Sequence, residues 1–584
     1  MYPHKVRLAF NSPLVCRDRR WQICLVVSLL AALFYSFLDL QVAFAGDWIV
    51  QDDARQHVFW MTRYVDPQLF PNDLIADYFQ SVAPWGYTYS YKLGIYLGID
   101  PFVLNKLFPI PVRIVTAYYF FAWCSTIFPI PSGCLTATLL LNHSLWLKND
   151  IVSATPRAFL HPFFLAFLYY FNRQALIPCS ISLIGLGLFY PQMLFIACEM
   201  LLLKAIGWLN FLPSQSRLGL KAESRTYISS RIQERNFAFV GLIVSFLVLL
   251  PYALKTSDYA PIITRAEALT MPEFQDGGRS EFFKDALWEY LVGRGRAVMV
   301  SPTAFRPYIL VTSLFLPLLV KQSRFSLVRK ITPQFASVAQ LLLASLGMYM
   351  LAHIFLFKLH LPSRYTGNSL RIVANLCAGI TITSFVHYCW RFWKQKYSAE
   401  KSKLLTISTV IAIAFLTYSN LPDPNSRTGY EIGSHPQLYK YLQQQPKDIV
   451  VASLTKETNN IPSFSQRSVL VSSEYAIPYQ LGYYQPFKAK VRNLIQAQYS
   501  LDLAEVRAFI NRYNITHWLI EDRSFDVEYV VENSWLEQYK TEYDRAIANL
   551  ESNQTPALLA NKDRCTTFTT AKLALVETKC LLEQ

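Results

Sequence analysis

The sequence has little charge. Asp, Glu, Lys and Arg make up 16% of its 584 residues, whereas 52% of the residues are hydrophobic and 15% are aromatic. Soluble proteins carry about a quarter charged residues on average, so this chain has too few charges to cover a fully hydrated surface. The composition excludes an ordinary soluble enzyme and is typical of a protein whose solvent is partly lipid.

Several chemical signatures are also missing. The ten cysteines show no metal-ligand spacing, which argues against a structural zinc site. There is no glycine-rich phosphate loop, no internal repeat and no low-complexity tract. These absences exclude a P-loop or dinucleotide-binding domain and a repeat architecture.

The positive charge of the chain is unevenly distributed. Lys and Arg together number 55 against 40 for Asp and Glu, which gives a formal net charge of +15. The basic residues cluster in short segments between apolar runs, a pattern that fixes the orientation of a membrane protein. It does not indicate nucleic-acid binding. The clusters, all predicted to be cytoplasmic, are Lys5 to Arg20, Arg217 to Arg235, Lys321 to Lys330 and Arg391 to Lys403.

Apolar runs fill most of the first 420 residues. Spans of about 20 residues predict about eleven transmembrane helices, so the two termini lie on opposite sides of the membrane. The N-terminus is predicted inside, the C-terminus outside, and the protein in the inner (plasma) membrane. Pro178 and Pro191 interrupt one stretch, which is either two spans, a re-entrant pair or one kinked span. The predicted spans are 21–45, 110–129, 131–148, 157–172, 175–190, 191–208, 237–254, 304–320, 334–357, 366–389 and 404–420.

Three segments are predicted outside the membrane: two long loops, 46–109 and 255–302, and the tail 421–584. The tail alternates strand-like runs (448–453, 468–472, 516–520) with helical ones (503–512, 535–550), which predicts a small α/β domain. The fold class is therefore mostly α: a polytopic transmembrane helix bundle, residues 1–420, with a C-terminal extracytoplasmic α/β domain. Cys565 and Cys580 form either a disulfide in an oxidising compartment or two core thiols.

The first outer loop carries two adjacent carboxylates, Asp52 and Asp53, just beyond the first span. At the membrane surface such a carboxylate can accept a proton from a hydroxyl, or hold a divalent cation against a phosphate. The alternative is an acidic N-cap of the helix that follows, with no chemistry. His57 lies on the same helical face as Asp53, either as a substrate or metal ligand or as a surface histidine.

Three arginines lie at predicted outer mouths of the bundle. Arg157 follows Ser153-Ala154-Thr155-Pro156, and Arg364 and Arg371 lie at the start of the tenth span. Guanidinium groups bind phosphate through pairs of hydrogen-bond donors. The alternative is that an interfacial arginine only anchors its helix, with its charged end snorkelling to the membrane surface. The second outer loop, with its Gly277-Gly278 turn, is either a lid or substrate groove or a plain solvated loop.

This layout resembles the GT-C-type glycosyltransferases, which include protein O-mannosyltransferases, oligosaccharyltransferases and aminoarabinose transferases. The resemblance rests on Asp52 and Asp53, on Thr155-Pro156-Arg157, and on a tail segment, Asn460 to Arg467, similar to those of uncharacterised bacterial members. It implies transfer of a sugar from a polyprenyl-phosphate-linked donor to a glycan, lipid or protein acceptor.

By the same resemblance, Asp53 or Asp52 acts as base or helps bind a divalent cation, Mg²⁺ or Mn²⁺. Arg157, Arg364 and Arg371 would then bind the donor phosphate. The WWD-type signature of oligosaccharyltransferases is missing, which argues against N-glycosylation. The competing interpretations are a transporter or flippase of lipid-linked glycans, which should show polar groups at the bilayer midplane, and a non-catalytic envelope scaffold.

Overall fold

The computed structural model describes residues 18–207, 224–418, 428–552 and 554–583, with only the backbone for 224–231. The basic residues before Asp18, the first part of the Arg217 to Arg235 cluster (residues 217–223) and the predicted domain boundary at residue 420 lie outside these ranges. Helices dominate the first part of the chain, and the tail contains the larger sheet.

Apolar helices occur wherever the sequence predicts a span. Five are long and apolar enough to cross a membrane, namely Arg19–Ala43, Pro101–Ile127, Ile232–Leu254, Pro333–Ile354 and Ser363–Lys396. The number of spans, about eleven, remains a prediction. The stretch containing Pro191 is two helices that break at Tyr190. The span predicted at 304–320 is a 3₁₀-helix, Tyr308–Phe315, followed directly by a short α-helix, Leu316–Lys321. The remaining helices of this part are Pro131–Trp146, Pro156–Arg173, Leu176–Phe189, Pro191–Ile206 and Ala399–Tyr418.

Buried polar contacts tie the first helix to its neighbours. Asp39 pairs with Arg113 at 2.7 Å and accepts a hydrogen bond from the Trp146 indole at 3.0 Å. All three side chains are buried, and an ionised group in such a place needs a partner. Gly379 allows a close helix crossing, since a Cβ there would lie 2.5 Å from the Cβ of Ala137.

The first outer loop is folded rather than extended. It consists of one short strand, β1 (Ile49–Gln51), followed by short helices. Tyr78 of this loop stacks on Tyr483 of the tail, with ring centroids 3.8 Å apart. The loop helices are Ala54–His57, Phe59–Tyr64, Leu74–Val82, Trp85–Tyr96 and Pro101–Leu107.

The tail is an α/β domain, as its alternating pattern predicts. Its strands are β2 (Tyr430–Ile432), β3 (Val450–Ala452), β4 (Ser468–Val469), β5 (His517–Glu521), β6 (Thr566–Thr569) and β7 (Leu573–Glu577). The last five form one sheet of order β4-β3-β5-β7-β6, with β3 parallel to β4 and β5, and with β7 antiparallel to β5 and β6. Cys565 and Cys580 form a disulfide. The main helices are Pro436–Gln444, Leu481–Gln498, Leu503–Tyr513, Lys540–Glu551 and Ala557–Cys565.

The second outer loop packs against the tail and is not a plain solvated loop. The Ile263 amide donates to the Tyr479 carbonyl at 3.0 Å, and the Leu481 amide donates to the Pro261 carbonyl at 2.9 Å. Phe274 and Phe282 form a buried cluster with Leu481 of the tail. The short helices of the loop are Arg265–Leu269, Pro272–Phe274 and Leu287–Leu291.

Candidate functional site

The acidic pair is held by a strand pairing that joins the first outer loop to the tail. β1 pairs antiparallel with β2 (Tyr430–Ile432), so that Gln51 lies opposite Tyr430. Gly429, just before β2, has a φ of +64°, a conformation that glycine adopts most readily. Its carbonyl accepts from the Asp52 amide at 2.8 Å. Asp52 and Asp53, which we call the acidic turn, therefore lie where membrane domain and tail meet.

Asp53 is bonded to Arg157, at the start of the helix Pro156–Arg173. Asp53 Oδ2 lies 2.6 Å from Arg157 Nη2. Although Asp53 is at the N-cap position of the helix Ala54–His57, its side chain caps no backbone amide. A simple N-cap therefore does not account for this carboxylate. Its side chain is 39% exposed.

A second carboxylate lies on the other side of Arg157. Asp150 Oδ1 is 3.0 Å from Arg157 Nε, and Asp150 Oδ2 is 2.7 Å from Lys148 Nζ. Asp150 is buried, which opposes its ionisation, but Lys148 and Arg157 outweigh this and hold its pKa well below the usual range. One guanidinium thus joins two carboxylates, an arrangement that we call the Asp53–Arg157–Asp150 bridge.

His57 lies beside the bridge against two aromatic rings. The centroids of Phe79 and Tyr87 are each 6.4 Å from that of His57. Burial lowers the pKa of His57 to about 4, and Arg157 acts in the same direction while Asp53 opposes it. The imidazole is therefore neutral at pH 7, which leaves a ring nitrogen able to accept a hydrogen bond.

Asp52 turns away from Asp53 and toward the tail. Asp52 pairs with Arg55, which also donates to the Asn460 side chain at 2.9 Å and lies 3.8 Å from Glu474. Burial raises the pKa of Glu474 to about 7. Below that pH the carboxyl takes up a proton and its attraction to Arg55 weakens. The two neighbouring aspartates thus have different partners.

The other two predicted arginines differ in their surroundings. Arg371 is buried and donates to the Ser144 carbonyl at 3.0 Å and to the Thr303 carbonyl at 2.9 Å, contacts that favour an internal structural role. Arg364 is half-buried, and its guanidinium makes no hydrogen bond or ion pair within the described ranges. Arg364 and Arg157 both lie within electrostatic range of Tyr190.

Comparison with solved structures identifies this architecture, although no family model and no curated protein matches the sequence. The oligosaccharyltransferase of Archaeoglobus fulgidus, tethered to an acceptor peptide, superposes with a TM-score of 0.53 at 12% identity, over 89% of this chain and 72% of that one. The chain has the GT-C fold. The same archaeal enzyme, AglB, in complex with an inhibitory peptide and dolichol-phosphate gives 0.53 at 11% identity, over 88% and 71% of the two chains.

The carboxylates of this GT-C chain do not form an evident divalent-metal site. Among the described residues, no group of three or more His, Cys, Asp and Glu side chains could hold a metal ion. Asp53 and Asp150 are joined by the Arg157 guanidinium. A cation of the protein itself therefore balances the charge that Mg²⁺ or Mn²⁺ would balance.

Sequence reasoning missed Lys148 and Asp150. Both lie in the turn between the helices Pro131–Trp146 and Pro156–Arg173. A charged pair in a short turn between two apolar runs, on the predicted outer side, is the signal that could have found them. This turn adds the second carboxylate of the bridge and its Lys148 partner to the candidate site.

Proposed function

We propose that this protein is a membrane glycosyltransferase that transfers a sugar from a polyprenyl-phosphate-linked donor to an envelope acceptor on the extracytoplasmic face. The observation that carries the proposal is Asp53, which Arg157 holds while one carboxylate oxygen makes no bond to a described residue. The unpaired guanidinium of Arg364 faces Tyr190, as Arg157 does. The fold supports it, since a solved GT-C neighbour, AglB, has been captured with dolichol-phosphate.

The reaction would be a direct displacement at the anomeric carbon. Asp53 Oδ1 orients the acceptor hydroxyl and takes its proton as the new bond forms between acceptor oxygen and sugar. The bond between the anomeric carbon and the donor phosphate oxygen breaks, and the polyprenyl phosphate leaves with the electron pair. Arg364 stabilises the charge that develops on that phosphate.

Arg157 would act as a positioning residue for Asp53 rather than as the main phosphate ligand. Its guanidinium is already shared by Asp53 and Asp150, which leaves it fewer free donors than Arg364 has. The bridge fixes the Asp53 carboxylate at the membrane surface, so that the free oxygen is aimed before the substrate arrives. Such preorganisation lowers the cost of reaching the transition state.

The direct test is a change in the pool of lipid-linked sugars. Cells that lack this protein should accumulate one polyprenyl-phosphate-linked sugar and lose one modification of an envelope component, both read by mass spectrometry of lipid and envelope extracts. A plasmid copy should restore both pools. If the lipid-linked sugar instead accumulates only on the cytoplasmic face, measured with a membrane-impermeant oxidant, the protein moves the lipid and is a flippase.

We expect transfer to continue after divalent cations are removed. Arg157 supplies the positive charge between Asp53 and Asp150, so a metal is not needed to hold these carboxylates together. Purified protein in lipid nanodiscs should keep its rate within about twofold after EDTA treatment. A loss of more than tenfold that Mg²⁺ or Mn²⁺ restores would show that a metal displaces the guanidinium.

Changing Arg364 to Ala should weaken donor binding. A charge-assisted hydrogen bond is worth about 1.5–3 kcal/mol, so we expect the KM for the lipid-linked donor to rise about 10- to 100-fold. Arg364→Lys should recover part of the loss, because it keeps the charge without the paired donors. Arg294→Ala, at an exposed arginine of the second outer loop, is the matched control. Equal effects of Arg364→Ala and Arg294→Ala would remove Arg364 from the site.

The proposal places the N-terminus in the cytoplasm and the tail outside. A reporter that is active only in the cytoplasm, fused after Gln584, should be silent, whereas one that requires an oxidising compartment should be active. The Cys565–Cys580 disulfide agrees with that compartment. Cytoplasmic activity of the fusion would place the acidic turn on the wrong side for the proposed reaction.

A further inference from the structure

A cleft of about 240 Å³ opens where the second outer loop meets the tail. Its walls come from two elements of the tail and from the turn at Gly277. It is distinct from the Asp53–Arg157–Asp150 bridge, none of whose residues line it. The residues that line it and matter here are Gly277, Arg279, Glu474, Ser534, Trp535 and Gln538.

The charges in this cleft cancel. Arg279 Nη2 lies 3.2 Å from Glu474 Oε2, and Arg279 Nε donates to the Ser473 carbonyl at 3.0 Å. Glu474 is also 3.8 Å from Arg55. An anionic ligand would meet a guanidinium that is already paired, and a cationic ligand would meet a paired carboxylate. The electrostatics therefore favour a neutral ligand.

A hydrogen bond orients the Gln538 side chain in the cleft. The Arg279 amide donates to Gln538 Oε1 at 3.4 Å, which turns the Gln538 side-chain nitrogen away from Arg279. That nitrogen, Arg279 Nη1 and the Ser534 hydroxyl make no hydrogen bond to any described residue. Beside them lies the indole of Trp535, half-buried and packed edge-on against Tyr539.

We propose that this cleft binds a neutral carbohydrate, and that the carbohydrate is the acceptor glycan of the transfer reaction. Planar donors and acceptors match the vicinal hydroxyls of a sugar, and an indole matches its apolar C–H face. A peptide would more commonly add to a strand edge. The lining residues lie instead on the turn at Gly277, on the short helices Ser473–Tyr475 and Ser534–Glu537, and at Gln538 directly after the second helix.

The cleft is linked to the acidic turn through shared contacts. The Gln56 side chain donates to the Glu474 carbonyl at 2.9 Å, and Arg55 pairs with both Asp52 and Glu474. Both residues belong to the helix Ala54–His57, which begins directly after Asp53. A glycan in the cleft would therefore lie beside the acidic turn. Its role as acceptor rests on the proposed function, whereas its binding does not.

The test is carbohydrate binding to the full-length Asp53→Asn protein in nanodiscs, which removes turnover. The probes are methyl glycosides of neutral hexoses and neutral hexose disaccharides, followed by saturation-transfer NMR and calorimetry. We expect at least one probe to bind, and Trp535→Ala to weaken that binding about tenfold or more. Ser534→Phe, at an exposed position, should block the cleft without removing a core contact. Trp288→Ala, at an indole 65% exposed on the second outer loop, is the control.

The inference is overturned if no neutral saccharide binds, if Ser534→Phe binds as well as its parent, or if a pentapeptide library binds in place of the sugars. These outcomes are separable from failure of the proposed function. Saccharide binding that Ser534→Phe abolishes, in a wild-type protein that transfers no sugar, would support the cleft and refute the transferase. Transfer at an unchanged acceptor KM in Ser534→Phe would support the transferase and refute the cleft.

Discussion

Transfer activity should fall about 10²- to 10⁴-fold when Asp53 is changed to Asn, the range that a general base contributes to a rate. Asn is nearly isosteric with Asp, and its amide oxygen can still accept a hydrogen bond from Arg157. The change removes the negative charge and the basicity of the carboxylate. We therefore expect normal accumulation of the protein in the membrane together with near-complete loss of the envelope modification.

Asp52 provides a matched control for this prediction, because it is the adjacent residue with the same side chain. Its partner Arg55 also bonds Asn460 and lies 3.8 Å from Glu474, so Asp52→Asn leaves Arg55 with two partners and should reduce the rate less than about tenfold. The rates of the two variants should be compared at saturating donor. Equal losses in both would mean that the acidic turn acts as a unit. Full activity of the double variant would refute the catalytic assignment.

Asp150→Asn should both destabilise the protein and slow transfer. Asp150 is 1% exposed and pairs with both Lys148 and Arg157. Removing one partner from a buried ion pair costs about 3–5 kcal/mol, because the remaining charges lose their compensation. Arg157 would then be held by Asp53 alone, and we expect the position of the Asp53 carboxylate to be less well defined.

The stability effect is measured as a shift in thermal unfolding in nanodiscs, and the kinetic effect is measured on the protein that remains folded. Asp77→Asn is the control, since Asp77 pairs with Arg63 at 2.7 Å but is 45% exposed. An exposed ion pair is worth at most about 1 kcal/mol, so this variant should behave almost as wild type. If Asp150→Asn is equally mild, the bridge does not organise the site.

The helices of the membrane part could be predicted from the sequence, because a long apolar run in a lipid bilayer has few alternatives to a helix. Parts of the tail could be predicted as well. The predicted strand 516–520 corresponds to β5, and the predicted helix 503–512 corresponds to Leu503–Tyr513. These elements carry strong local signals, a buried apolar strand and an amphipathic helix with an acidic cap.

Contacts between distant segments could not be predicted from the sequence. β1 is three residues long and pairs with a strand in the tail, and neither strand has a local pattern that specifies the other. The docking of the second outer loop on Tyr479 and Leu481 is equally non-local. For that reason the sequence left only a lid or substrate groove and a plain solvated loop as interpretations, and neither included docking on the tail.

The candidate site was predicted in part. Sequence position alone drew attention to Asp53 and Arg157, and the structure brings them to 2.6 Å; their chemical roles stay predictions. Asp150 was missed because a charged pair in a short turn looks like ordinary surface. Only the folded chain shows that it is buried against two cations. The folded chain also shows that the Arg371 guanidinium is bound by the carbonyls of Ser144 and Thr303, which lie far away in sequence.

The most direct test of the proposed site is the position of a bound lipid phosphate. The protein in nanodiscs should be saturated with a long-chain polyprenyl phosphate and its structure determined by electron cryomicroscopy. The account predicts phosphate density within hydrogen-bonding distance of the Arg364 guanidinium and beside the free oxygen of Asp53. Phosphate density on another face of the bundle, with Arg364 pointing into the acyl chains as an anchor, would contradict it.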